Sequence, residues 1–171
     1  RGADLNDFKY SGYDRGHLTP ASDMAFDETA LKESFYMTNV SPQTKHLNRG
    51  VMKKLEDLIK AKLVDWTNRI EGLVIITGFT NESIGNIKKG SVIKVPKYYY
   101  KVIIDVKANR AIAFLLPNNY KTSTNIMDYI VSFEDLQSKT GLDFFYKLDD
   151  SLEGEMESLT TGKINNIKSN Q

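Results

Sequence analysis

The chain has 171 residues, 40% of them hydrophobic and 26% charged, enough for one domain with a real core. Lys and Arg number 23 against 22 Asp and Glu, so the net charge of +1 gives no global cationic field for a nucleic acid. The lack of Cys excludes disulfides, thiolate metal sites and a Cys nucleophile, and no apolar run reaches membrane-spanning length.

In chain order, residues 1–12 read as a polar entry loop, and residues 16–20 as a short strand or loop. Asp27 is the expected N-cap of a short helix through Glu33. Phe35–Val40 alternates like a strand, and Ser41-Pro42-Gln43 is expected to break it. From Asn48 to Trp66 the apolar residues Val51, Met52, Leu55, Leu58, Ile59, Leu63 and Val64 follow helical spacing. Strands are expected at Leu73–Phe79, Ser91–Val95, Tyr98–Val106 and Ala111–Leu116, with Pro96 separating the second from the third. Helices are expected at Val131–Lys139 and Asp149–Leu159, split by Thr140-Gly141, with the last ten residues fraying. The order of elements predicts one α+β domain over 1–171, with a mainly antiparallel sheet and C-terminal helices. Along Tyr98-Tyr99-Tyr100, strand alternation turns Tyr99 away from its neighbours, so packing is preferred to base stacking.

The residues that bear chemistry concentrate early. His17 is one of two histidines and sits in Asp14-Arg15-Gly16-His17. A lone histidine is usually chemically idle. Here Gly16 permits close backbone approach, and Arg15 offers a planar fork for phosphate oxygens. Asp14 could hold Arg15 or the loop. A neutral imidazole suits general-base work near neutral pH. Asn48 opens the long helix, where it could be a cap or an oxygen ligand for a hard divalent ion. Glu56, eight residues on, lies about 12 Å along an ideal helix and about 80° around it, which suits contact with a metal-bound water better than direct ligation. Its plain reading is a solvated carboxylate beside Lys60. Asn39 and Gln43 flank the expected break, as turn residues or as orienting groups. His46 reads as an ordinary loop residue. Six basic residues against two acidic ones between residues 44 and 62, Arg49 among them, leave a local cationic excess.

Gly12-Tyr13-Asp14-Arg15-Gly16-His17-Leu18, Phe35 to Gln43 with Asn39, Leu47-Asn48-Arg49-Gly50 and Leu55-Glu56 together resemble the DNA/RNA non-specific endonucleases. The likeness is clearest over residues 10–66. It implies a ββα-metal site in which His17 activates water and Asn48 alone directly binds Mg²⁺, with Mn²⁺ or another divalent ion able to substitute. It implies Glu56 holding metal waters, Asn39 in support, Arg15 neutralising phosphate, and Gln43 as an outer partner behind the groups that meet metal or phosphate. Gln43 and Arg49 are, with Arg15, the candidates for contacting substrate. DNA and RNA would be cut to 5′-phosphate and 3′-hydroxyl ends. The partners it allows are a homodimer, an inhibitor protein, and an N-terminal strand region that this chain begins too late to contain. The expected location is secreted or periplasmic, without a membrane partner. Met52 stands where many relatives carry Trp, and Lys60 where they carry Arg. The competing expectations are a non-catalytic nuclease-like binding module and a small-nucleotide phosphodiesterase.

Overall fold

The computed structural model describes residues 3–66, 73–106, 109–120, 123–146 and 154. It is α+β with antiparallel pairing throughout the described strands. A one-turn helix α1 (Leu5–Phe8) precedes strand β1 (Asp14–His17), and α2 (Glu28–Glu33) precedes β2 (Val40–Gln43). β1 and β2 form a two-stranded ribbon in which Asp14 faces Gln43 and His17 faces Val40. A helix follows directly. It widens into a π-helical turn over Leu47–Met52 and continues as α3 (Lys53–Trp66).

Next come β3 (Leu73–Phe79), a small hairpin of β4 (Ser83–Asn86) and β5 (Lys94–Pro96), β6 (Tyr98–Asp105), β7 (Arg110–Pro117), β8 (Ile130–Val131) and α4 (Phe133–Thr140). The main sheet has the order β3-β6-β7-β8. Strand alternation divides its side chains between two layers. Tyr99, Phe114 and Leu116 meet Leu47, Val51, Met52, Leu55 and Ile59 on the long helix. Tyr100, Val102, Ile104 and Ala113 meet Phe133 and Leu136 of α4, together with Phe145. Tyr99 and Tyr100 therefore serve opposite faces, as the alternation predicts. Fully burying a Val, Leu, Ile, Phe or Met side chain in this way contributes about 1.5–3 kcal/mol. Leu58, also counted in the helical stripe, is half exposed.

Several expected boundaries move. Phe35–Val40 is not a strand. Met37–Asn39 forms a 3₁₀ turn, and the strand runs through Ser41-Pro42-Gln43 instead of breaking there. A two-stranded ribbon leaves one side of β2 outside its ladder, which tolerates a residue lacking an N–H. The Pro42 carbonyl is used meanwhile, accepting from the Tyr99 hydroxyl and from Asn118 Nδ2, each at 2.9 Å. The long helix starts before Asn48. Residues 45–46 are already helical, and Thr44 Oγ1 accepts from Leu47 N at 3.2 Å as the cap. The entry loop contains α1, built by a reciprocal capping box between Asp4 and Asp7. Pro96 is the last residue of β5, opposite Ser83, and the break before β6 falls at Lys97. Val131 pairs with Ala113, and Ser132 caps α4, whose end is closed by Gly141 at φ 69°. Asp27 caps α2 as expected. The expected helix Asp149–Leu159, apart from residue 154, and the last ten residues lie outside the described residues.

Candidate active site

Local chemistry shapes the ribbon before any substrate is considered. A Cβ on Gly16 would lie 2.1 Å from Gln43 Cδ, so only glycine lets Gln43 cross beneath β1. Gln43 is 0% exposed, and its amide atoms have no hydrogen-bond partner among the described residues. Such burial does not offer Gln43 to a substrate, as its candidacy for substrate contact expected, and it fits the outer role that the resemblance implies. Gln43 lies under the strand rather than on its open face. Asn39 is likewise a holder. Its Oδ1 accepts from Thr19 N at 3.0 Å, and its Nδ2 donates to Thr19 O and Ser34 O at 2.8 Å. Those bonds pin the chain leaving His17 against the chain entering β2.

β1 is fastened to the long helix at both ends. Asp14 does not hold Arg15. It accepts Asn48 Nδ2 at 3.1 Å and the Arg49 fork at 2.7 and 2.8 Å. Hydrogen bonding to Arg49 is the largest cause holding the Asp14 carboxyl below its usual range. Arg49, implied to contact substrate, has its fork on Asp14. Beyond His17, Leu18 packs against the cluster containing Leu47, Val51 and Leu55. Further on, Asp23 acts electrostatically on Glu56. The chain from Asp14 to Asp23 thus runs over the helix from Asn48 to Glu56, with His17 between its anchors. Arg15 is exposed.

Asn48 and Glu56 line one open cleft of about 340 Å³, with Ser22, Arg49, Lys53, Asp57 and Lys60. Both residues line the same cleft, Asn48 from the π turn and Glu56 from α3. π turns recur at functional sites because they re-aim side chains. With Nδ2 committed to Asp14, Asn48 Oδ1 accepts no hydrogen bond from any described residue. Among the described residues no three His, Asp or Glu side chains cluster as a protein-only metal cage. One amide oxygen with a carboxylate nearby fits a hard divalent cation that keeps most of its waters.

Burial pushes the His17 pKa below its ordinary value, and the Arg15 charge adds to the shift. The imidazole is therefore neutral at neutral pH. Nε2 is enclosed and without a partner among the described residues, which leaves Nδ1 as the nitrogen able to meet water. Phe35 lies edge-on to the ring, with centroids 5.4 Å apart.

Lys101 has no counterpart in the sequence reading. It is 1% exposed on central strand β6, with Nζ 3.9 Å from Glu56 Oε1, and Glu56 is 23% exposed. Desolvation raises the Glu56 pKa and lowers that of Lys101, and their mutual attraction opposes both shifts. At 3.9 Å burial prevails over attraction. The signal was available, since a lysine shares an alternating strand face with Tyr99 and Ile103. Asn118 was missed as well. It is buried, accepts from Thr44 N at 2.8 Å, and donates to Pro42 O and Pro96 O at 2.9 Å.

The profile of the DNA/RNA non-specific endonuclease family matches residues 1–151. Nuclease C1 of Cunninghamella echinulata var. echinulata is 33% identical, over 92% of this chain and 66% of that protein. The mitochondrial nuclease EXOG of Xenopus laevis is 31% identical, over 84% of this chain and 43% of that protein. A chain from the crystal structure of the EndoG/EndoGI complex superposes with a TM-score of 0.70 at 25% identity, over 86% of this chain and 64% of that one. The chain thus spans 43% to 66% of the length of these two sequence relatives.

Proposed function

Because this chain belongs to the DNA/RNA non-specific endonuclease family, we propose that it hydrolyses phosphodiester bonds within both DNA and RNA, with help from a divalent cation. One observation carries the reading. A neutral, partly buried imidazole is strapped at both flanks to the helix whose cleft holds Asn48 and Glu56.

Nδ1 of His17 takes a proton from water as the water oxygen bonds to phosphorus, and the bond from phosphorus to the 3′ oxygen breaks. The leaving 3′ oxygen takes a proton from a second water, and the products are a 5′-phosphate and a 3′-hydroxyl. Arg15, exposed beside His17, offers its fork to the phosphate oxygens. Asn48 Oδ1 would hold the cation, Mg²⁺ or another hard divalent ion such as Mn²⁺, and Glu56 would hold its waters. A cation so bound supplies charge stabilisation to the phosphate and to the leaving oxygen. Asp14 contributes by aiming Asn48, and Asn39 by fixing the turn after His17. Contacts limited to phosphate read little sequence.

Among the described residues no helix is long and apolar enough to cross a membrane. A secreted or periplasmic setting is part of the proposal, beside relatives named mitochondrial in Xenopus laevis and Saccharomyces cerevisiae. A homodimer and an inhibitor protein are partners on the same footing.

The test is digestion of plasmid DNA, RNA and a small diester, with Mg²⁺ and with EDTA. Metal-dependent internal cleavage of both polymers is expected. Binding without cleavage, or cleavage of the small diester alone, overturns the reading.

A further inference from the structure

A histidine base needs its ring held, and the usual holder is a hydrogen bond from the second nitrogen to a carboxylate or carbonyl. His17 has none, since Nε2 is enclosed and meets no hydrogen-bonding atom of the described residues. Phe35 lies against the ring instead. The ring planes are inclined at 86°, the edge-to-face arrangement that aromatic quadrupoles favour.

Core packing does not explain Phe35, which is 59% exposed. The backbone delivers it. Asn39 ties the carbonyl just before Phe35 to the residue two beyond His17 through one amide, at 2.8 Å to Ser34 O and 2.8 Å to Thr19 O. The end of α2 fixes the same stretch, with Ser34 N donating to Ala30 O at 3.0 Å and Phe35 N to Lys32 O at 3.2 Å. From the other side, Leu18 N donates to the Asn39 carbonyl at 2.9 Å. Both partners of the ring contact are therefore anchored at adjacent residues.

We propose that Phe35 is a positioning residue for His17: its ring fixes the plane of the imidazole so that Nδ1 faces the scissile phosphate, and Asn39 is the clamp that sets the pair. The proposal rests on the reading of His17 as the base. An aromatic ring here takes the place of a carboxylate orienter. It restrains the imidazole by shape, adds no charge, and keeps water from one side of the ring.

The chain has only two histidines, so NMR of histidine-labelled protein resolves His17 from His46. The ring-current shift of the His17 protons should vanish in Phe35→Ala and Phe35→Leu and persist in Phe35→Tyr. On plasmid DNA, Phe35→Ala and Phe35→Leu should lower kcat about tenfold or more with KM within about twofold, and Phe35→Tyr should restore it. Loss of the ring-current shift with kcat intact overturns the proposal. So does a rise in KM confined to single-stranded substrate, which would make Phe35 a platform for nucleobases. His17→Ala separates the two levels. Cleavage undiminished in that variant defeats the base assignment itself, whereas its loss beside a fully active Phe35→Ala defeats only the positioning role.

Discussion

The β1–β2 ribbon and the β3-β6-β7-β8 sheet are both antiparallel, yet they are held by different means. The sheet is set by alternating apolar side chains that dock on a helix at each face. The ribbon is set by polar side chains with single geometries. Gln43 crosses under Gly16, Asn39 clamps Thr19, Asp14 grips Asn48 and Arg49, and Tyr99 and Asn118 hold the Pro42 carbonyl. Apolar packing accepts many residues of similar volume, whereas a hydrogen-bonding clamp accepts few. The proposed chemistry sits on the part whose geometry has little tolerance, and the sheet serves as its floor.

Substitutions can break this contrast. In the ribbon, His17→Ala should lower cleavage by about 10²–10⁴-fold while leaving DNA binding in a gel-shift assay near wild type. Glu56→Gln should raise the Mg²⁺ concentration needed for half-maximal cleavage by about 10–100-fold. In the sheet's far layer, Leu136→Ala should cost about 2–5 kcal/mol in denaturant unfolding yet leave the turnover of the folded fraction unchanged. A loss of turnover there would mean that the two regions are not separable. Gly16→Ala should cost about 1–3 kcal/mol, because the new methyl group meets Gln43 and the backbone or Gln43 must shift. Gly16→Ala/Gln43→Ala should melt higher than Gly16→Ala alone if that clash is the cause.

The smallest effect is on pH. The depressed His17 pKa keeps the base neutral below 6.5, so the acid limb of kcat/KM should fall only below that ordinary value. Arg15→Gln should move the limb upward by less than full exposure of the ring would, since burial is the larger cause and the Arg15 charge the lesser. A limb at or above 6.5 in the wild type would contradict an enclosed imidazole.

Much of the sheet was legible because strand periodicity is a local property. Leu73–Phe79 was read with its observed limits, and the Tyr98 and Ala111 strands were displaced by about one residue, within ordinary boundary error. The ribbon was legible as chemistry but not as structure. Asp14, Arg15, His17, Asn48 and Glu56 could be chosen from residue type and spacing. The strand through Pro42 could not, because what stabilises it comes from Tyr99 and Asn118, 57 and 76 residues away. For the same reason Gln43 and Arg49 looked available for substrate until the fold buried the first beneath Gly16 and set the second on Asp14.

Read alone, the chain already marks its periodic elements, its family, and the candidates for activating water and holding a hydrated cation. Those follow from spacing along the chain and from side-chain chemistry. Packing was needed to set Asn48 and Arg49 on Asp14, to line one cleft with Asn48 and Glu56, to put Lys101 3.9 Å from Glu56, and to bring Phe35 against His17. Each of these joins residues from different segments of the chain, and distances in space become defined only when the layers pack.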